Sequence, residues 1–413
     1  EATAQIHRGV MADASTPVAT SKLPLAVDLD GTLIRSDVFN ESMLKLAFRK
    51  PWKLPALAMW LTRGRAYAKQ KLAAMFPPDA ESLPYDPRVL SWLRGEHAHG
   101  RTIVLATASD VSAARTVADH LGLFDSVFAS DGKTNLKSRR KAEALAKAYP
   151  QGFVYAGNES ADLKVWGAAR EAVIVNAAPA LERAASGHFA VEKIFPQEAK
   201  PLRGLIKALR PRQWAKNFLV FVPMLAGQGW AAWDAWENAA LAFVALSLSA
   251  SGIYLINDAS DIESDRRHPS KRNRPFASGA LSPVLGLPIA LAMIVAGIAV
   301  GGAAGVLPAL AVYLIATTLY TFWLKRIVLA DVFLLAGLYT WRIVIGGVAT
   351  SFVASDWLLA FSSFFFLSLA LVKRATEIDA IQGDPHGRGY RAVDGPLLKR
   401  VSVGAGLVAA LSL

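Results

Sequence analysis

The chain has 413 residues, 53% of them hydrophobic, with a net charge of +12 and no cysteine. Disulfides, thiolate catalysis and Cys-ligated zinc are therefore excluded, and the length suits two or three domains. So much positive charge would suggest nucleic acid in a soluble protein, but beside this hydrophobicity it points to cationic loops facing anionic lipid. Residues 1–200 are mixed in composition, whereas from about Trp214 long apolar stretches alternate with short polar ones. Three regions are expected: a tail (1–20), an N-terminal domain (21–198) and a membrane domain (199–413). The tail lacks the apolar core of a secretory signal, so the N-terminal domain is expected to stay in the cytoplasm.

"LPLAVDLDGTLI" (23–34) is a short apolar strand ending in two aspartates one residue apart. "TIVLATAS" (102–109), "SVFAS" (126–130), "FVYAG" (153–157) and "AVIVN" (172–176) follow, separated by helix-like stretches. This alternation predicts a parallel α/β sheet with its site at the carboxyl ends of the strands. There Asp28 can attack phosphorus and Asp30 can protonate the leaving group, while Mg²⁺ neutralises the phosphate. Thr107 is placed to bond the phosphate, and Lys141, or alternatively Lys137, to balance the pentacoordinate charge. Asn158 and Asp162 complete the expected metal set with Asp28 and Asp30. In this order the segments resemble the four motifs of the haloacid dehalogenase-like phosphatase superfamily, over about residues 21–198. Asn158 stands where that family usually has Asp, which weakens the metal site; a degenerate, non-catalytic domain is the competing reading. The stretch between the first two motifs, about 37–100, is too long for a simple connection and predicts a helical cap. Its Trp52, Trp60, Arg63, Arg65 and Lys69 either pack beneath the cap or face lipid headgroups.

Apolar runs at about 217–229, 237–256, 281–302, 306–323, 329–348 and 357–372 predict six spans. A seventh, from 401, stops at the last residue and is read as an incomplete C-terminus. Lys and Arg concentrate in alternate loops, which puts both ends of the six-span unit on the cytoplasmic side with the phosphatase-like domain.

After the second run comes "NDASDIESDRRHPSKRNRP" (257–275). On a helix Asp258, Asp261 and Asp265 fall within about 60° of one another, with Asn257 adjacent. Three carboxylates on one stripe repel unless a divalent cation joins them, and Mg²⁺ with a diphosphate satisfies both sides. The helix is expected to stop near Pro269, so that Lys271, Arg272 and Arg274 fold back onto phosphate oxygens. A solvated loop is the bland alternative. The stretch is similar to the first aspartate motif of the UbiA superfamily of intramembrane prenyltransferases, a resemblance covering residues 205–413. That family usually has about nine spans, so two or more are expected to be missing.

"LRPRQWAKN" (209–217, with Arg212 and Lys216) and "LVKRATEI" (371–378) look most like the branch that makes polyprenyl-phosphate phosphoribose. Lys373, Arg374 and Glu377 replace the second aspartate motif of aromatic-acceptor enzymes, and Lys373 and Glu377 share a helix face at i, i+4. The resemblance implies an enzyme that moves 5-phosphoribose from 5-phosphoribosyl diphosphate to a polyprenyl phosphate. The N-terminal domain would then remove the 5-phosphate. Prenyl transfer to an aromatic acceptor, or a non-enzymatic lipid-binding scaffold, are the alternatives. Arg342, inside a span, is read as a buried contact of Asp331 or a phosphate ligand. His268, His386 and the glycine-rich "GDPHGRGY" (383–390) carry weak signals.

Overall fold

The computed structural model describes residues 22–198, 201–380 and 390–412. His386 and most of the glycine-rich turn lie outside them.

In the N-terminal half, β1 (Leu25–Val27), β2 (Ile103–Asp110), β3 (Ser126–Ser130), β4 (Val154–Gly157), β5 (Glu171–Val175) and β6 (Val191–Phe195) form one sheet. All neighbours are parallel and the order is β3-β2-β1-β4-β5-β6. This is the doubly wound Rossmann order, and the order in which strands are added reverses between β1 and β4. Strands buried on both faces need apolar residues at every position, and "LAV" of β1 is buried throughout. Asp28 leaves the end of β1 and Asn158 the end of β4, so the two residues flank the switch point.

The helices of this half are α1 (Val38–Arg49), α2 (Leu54–Thr62), α3 (Arg65–Met75), α4 (Pro87–Ala98), α5 (Val111–Leu121), α6 (Arg139–Ala148), α7 (Leu163–Trp166) and α8 (Pro179–His188). Helices α1 to α3 form the expected cap around Leu46, Leu57, Leu72 and Phe76. The cap ends sooner than residue 100, because Val89 and Leu93 of α4 pack into the same core as β1 and β2. Trp60 packs against the cap's own cluster, whereas Trp52 is 70% exposed. The N-terminal half thus has a parallel α/β architecture with a helical cap, as expected.

The second half is all helical: α9 (Pro201–Leu209), α10 (Val222–Ala226), α11 (Trp233–Ser260), α12 (Ile262–Arg267), α13 (Pro283–Ala303), α14 (Leu307–Phe322), α15 (Ala330–Thr350), α16 (Asp356–Ala380) and α17 (Gly395–Leu411). Helices α11, α13, α15 and α16 are long and apolar enough to cross a membrane, and α14 is a shorter apolar helix. The expected span at 217–229 is not a long helix. Pro211–Phe221 is a 3-10 segment and α10 has five residues, with Pro223 in its first turn and Gly227 closing it.

The halves are joined by charge pairs. Arg266 of α12 makes a two-pronged contact with Glu41 of α1 at 2.6 and 3.0 Å, both side chains nearly buried. Removing one partner of such a pair costs about 3–5 kcal/mol, because the other charge stays buried. Glu263 pairs with Lys45 and Arg49, each at 2.5 Å, and Arg267 with Asp79 at 2.5 Å. So Arg266 and Arg267, two of the five cations following the acidic stretch, serve docking.

Candidate functional site

Two polar centres lie at the junction. In the first, Lys141 reaches Asp28 at 2.9 Å and donates to the Tyr155 hydroxyl at 2.7 Å. That hydroxyl lies 2.8 Å from Asp162 and 3.3 Å from Asp28. Lys141 is 2% exposed, so its charge is weakly screened where phosphate charge would develop. Lys137, the alternative, lines the cavity beside Asp28 and pairs with Glu159 at 2.8 Å.

Asp30 accepts from the backbone N–H of Val38 at 2.8 Å and from Ser109 Oγ at 2.6 Å. Burial, then the negative charges of Asp37 and Asp28, push its carboxyl up to about 7 against those two hydrogen bonds. A proton donor at neutral pH is what leaving-group protonation requires. Thr107 is fully buried and its hydroxyl accepts from the Ser109 N–H at 3.0 Å, so it shapes the irregular end of β2 that presents Ser109. Lys69 enters from the cap and donates to the Ala108 carbonyl at 2.6 Å. It lines the cavity rather than facing lipid, and burial lowers its pKa.

Asp162 is not free to bind a metal directly. Its oxygens accept from Tyr155 and from the N–H groups of Asn158 and Glu159, so it fixes the loop that carries Asn158. Asn158 Oδ1 accepts from Thr32 at 3.2 Å. Gly31 has φ +76°, and a Cβ there would meet Asn158 Nδ2 at 2.1 Å. Gly31→Ala is therefore expected to displace Asn158 and lower phosphoester turnover by about 10–100-fold, and to cost about 1–2 kcal/mol of stability because alanine is strained at this φ. Steady-state kinetics beside a melting curve checks this. One carboxylate, from Asp28, and the amide oxygen of Asn158 fit Mg²⁺, which favours oxygen ligands and keeps waters and substrate oxygens in its shell.

The second centre departs from the single helical stripe. Helix α11 ends at Ser260, Asp261 caps it with φ −100° and ψ 9°, and α12 starts anew at Ile262. Among the described residues no three acids converge to metal-binding distance. Each acid instead meets cations. Asp258 lies 2.5 and 2.8 Å from Arg210 and 3.0 Å from Arg274. Arg274 also reaches Asp265 at 2.8 Å, and Lys325 holds Asp261 at 2.7 Å while lying 3.2 Å from Asn257. Burial raises the Asp265 carboxyl to about 6 despite Arg274. Because one guanidinium touches both Asp258 and Asp265, these two carboxylates converge on one point and fit a divalent cation. Asp261 stands apart.

Arg274 folds back onto Asp258 and Asp265, while Arg272 and Arg212 are exposed and Lys271 is half-buried. Lys216 lies over the Tyr339 ring at 5.3 Å. In the second motif Arg374 is buried, 2.6 Å from Asp331, and pairs with Glu377, while Lys373 is exposed. Lys373 and Glu377 both lie on α16 at i, i+4, and Glu377 also pairs with Arg374 at i, i+3. Glu377 acts on His268, whose pKa burial, Lys271 and Arg274 lower, so the two motifs share one end of the bundle. Arg342 binds Asn217, the Leu338 carbonyl and Tyr313, not Asp331. Sequence reasoning misses Arg210, Lys325, Ser109 and Tyr155 as site residues; Arg210 and Lys325 are visible there only as loop cations.

The sequence from 219 to 407 matches the UbiA prenyltransferase family. The helical half of the chain belongs to that family. Across nearly the whole length, the chain is 38% identical over 404 residues to uncharacterized protein y4nM of Sinorhizobium fredii, covering 94% of this chain and 76% of that protein. The nodulation protein NoeC of Azorhizobium caulinodans is 36% identical over 222 residues, 52% of this chain and 71% of that one. Decaprenyl-phosphate phosphoribosyltransferase of Mycobacterium tuberculosis is 38% identical over 188 residues, 44% of this chain and 62% of the relative. A solved phosphoserine phosphatase complex is similar at 15% identity and TM-score 0.32, covering 45% of this chain and 98% of that one. The segment that carries the aspartates, 257–275, is the one whose Glu263, Arg266 and Arg267 pair with the α/β half.

Proposed function

We propose that the chain is a bifunctional membrane enzyme. The UbiA half transfers 5-phosphoribose from 5-phosphoribosyl diphosphate to a polyprenyl phosphate, and the α/β half hydrolyses the 5-phosphate of the product. The observation that carries this is the convergence of Asp258 and Asp265 on Arg274, beside Arg210, at the end of the bundle against which the Asp28 centre is docked.

In the transfer, a polyprenyl-phosphate oxygen attacks the anomeric carbon as the bond to pyrophosphate breaks. Arg210, Arg274 and Lys325 are placed to take the departing negative charge. Asp258 and Asp265 would hold Mg²⁺, which supplies charge neutralisation on the diphosphate. In the hydrolysis, a carboxylate oxygen of Asp28 attacks phosphorus, and Asp30 gives its proton to the departing sugar oxygen. Lys141 balances the charge, and water then cleaves the aspartyl-phosphate with Asp30 taking back a proton. Asp28 and Asn158 would hold a second Mg²⁺, again as a charge neutraliser. Both centres belong on the cytoplasmic face, where the Lys- and Arg-rich loops lie.

Incorporation of label from 5-phosphoribosyl diphosphate into polyprenyl phosphate by membranes holding the protein is the deciding experiment. Prenyl transfer to an aromatic acid instead would replace this reading.

The working form of Asp30 is the protonated one, present below about pH 7 and lost above it. Hydrolysis of a sugar phosphate is expected to fall about tenfold per pH unit above 7. Hydrolysis of 4-nitrophenyl phosphate, whose leaving group needs no proton, should lack that limb. A pH profile of kcat/KM for both esters, with Asp30→Asn as control, tests the assignment. The same alkaline limb for both would remove Asp30 from the role.

A further inference from the structure

The cavity beside Asp28 has a volume of about 260 Å³ and is not walled by the α/β half alone. Asp28, Asp30, Asn158 and Lys69 line one side, and Phe276, Leu281, Ser282 and Pro283 of the UbiA half line the other. Phe276 and Leu281 are each 2% exposed, and Pro283 is the first residue of α13, a candidate span. The opposite wall of the phosphoester pocket is therefore the foot of a membrane helix.

The contact is close. Gly279 has φ +75°, and a Cβ on it would lie 2.4 Å from the carbonyl oxygen of Arg35, four residues after Gly31 on the catalytic loop. The same stretch begins at Arg274, which joins Asp258 to Asp265. Glu263, Arg266 and Arg267 pin it from the other side onto α1 and the cap. One segment thus serves the transferase centre with one face and closes the phosphoester pocket with the other.

We propose that Phe276–Pro283 is the specificity wall of the phosphoester site: it admits phosphomonoesters whose carrier lies in the bilayer beside α13 and screens out soluble ones. This rests on Asp28 being the nucleophile. The P–O bond to the carrier's sugar breaks, the sugar oxygen takes a proton, and water supplies the oxygen that releases phosphate from Asp28.

The test uses the full chain in phosphatidylethanolamine–phosphatidylglycerol vesicles, with two probes sharing a head group: polyprenyl-phosphate ribose 5-phosphate and free ribose 5-phosphate. The wild type is expected to favour the lipid probe by at least about 100-fold in kcat/KM. Glu263→Lys, which sets like charges against Lys45 and Arg49, should bring the ratio below about tenfold while the soluble arm holds or rises. Adding Lys45→Glu and Arg49→Glu should restore the ratio. Ser282→Trp, at an exposed position independent of those charges, should depress the lipid arm by about tenfold. A wild type that hydrolyses neither probe or shows no lipid preference overturns the proposal, as does an unchanged ratio in both Glu263→Lys and Ser282→Trp. Failure of the nucleophile assignment is distinguishable, since hydrolysis would then survive Asp28→Asn. Label transfer in the same vesicles reports the UbiA centre separately.

Discussion

In membranes carrying Asp28→Asn, phosphoribosyl transfer is expected to continue at the wild-type rate while polyprenyl-phosphate ribose keeps its 5-phosphate and accumulates. An amide cannot form the acyl phosphate, so hydrolysis should fall on the order of 10⁴-fold or more. The substitution keeps the side chain's shape, and the hydrogen bond that Leu29 N–H donates to Asp28 at 2.8 Å can persist. Lys141 loses its buried carboxylate partner, and the cost of breaking a buried pair, about 3–5 kcal/mol, is an upper bound on the loss of stability. The bound is generous because the Tyr155 hydroxyl still accepts from Lys141. Transfer is spared because the cations around the second centre, Arg210, Arg274 and Lys325, contact none of the Asp28 group. Mass spectrometry of the lipid extract reads the result. Fully dephosphorylated lipid, with no other phosphatase present, would sink the assignment.

The sheet and its site are legible in the sequence because parallel strands leave a periodic record. Five continuous apolar runs mark β1 to β5, and the functional residues sit just beyond them. Strand β6, "VEKIF", leaves no such record: it is an edge strand in which Glu192 pairs with the buried Arg101 and Lys193 is exposed, so it lacks the apolar run of its neighbours. In sequence Lys69 reads equally as a residue packed beneath the cap or as a headgroup cation, because its neighbours are apolar and basic. Only the fold of the cap turns it toward Ala108 and the cavity.

The membrane centre is legible in composition and not in geometry. Helical periodicity places Asp258, Asp261 and Asp265 on one stripe, but periodicity holds only while the helix continues, and it stops at Ser260. The choice of cation for each acid is a long-range matter that spacing does not encode: Arg210 comes from the turn after α9 and Lys325 from the turn after α14. Likewise the apolar run at 217–229 has the composition of a span, while Pro223 and Gly227 break it into short pieces.

This geometry ranks the three acids. Asp258→Asn is expected to abolish label transfer, with a loss on the order of 10³-fold or more, while 4-nitrophenyl phosphate hydrolysis stays within about twofold. Asp258 is 1% exposed and lies between two guanidiniums, so its loss deprives Arg210 of its carboxylate, leaves Arg274 to Asp265 and removes one of the two converging carboxylates. Asp265→Asn should come close to the same loss, since Arg274 ties it to the same point. Asp261 is different. Its side chain is a quarter exposed and is held aside by Lys325, so Asp261→Asn should cost about 10–100-fold, acting through Lys325 and Asn257 rather than on the metal. Raising Mg²⁺ in the assay separates the cases. A ligand lost from the metal shows as a higher Mg²⁺ requirement in Asp265→Asn, whereas Asp261→Asn should keep the wild-type requirement. Equal losses and equal Mg²⁺ requirements in all three variants would mean that the acids act as one cage, with the segment from Ser260 to Ile262 rewinding into a continuous helix when substrate binds.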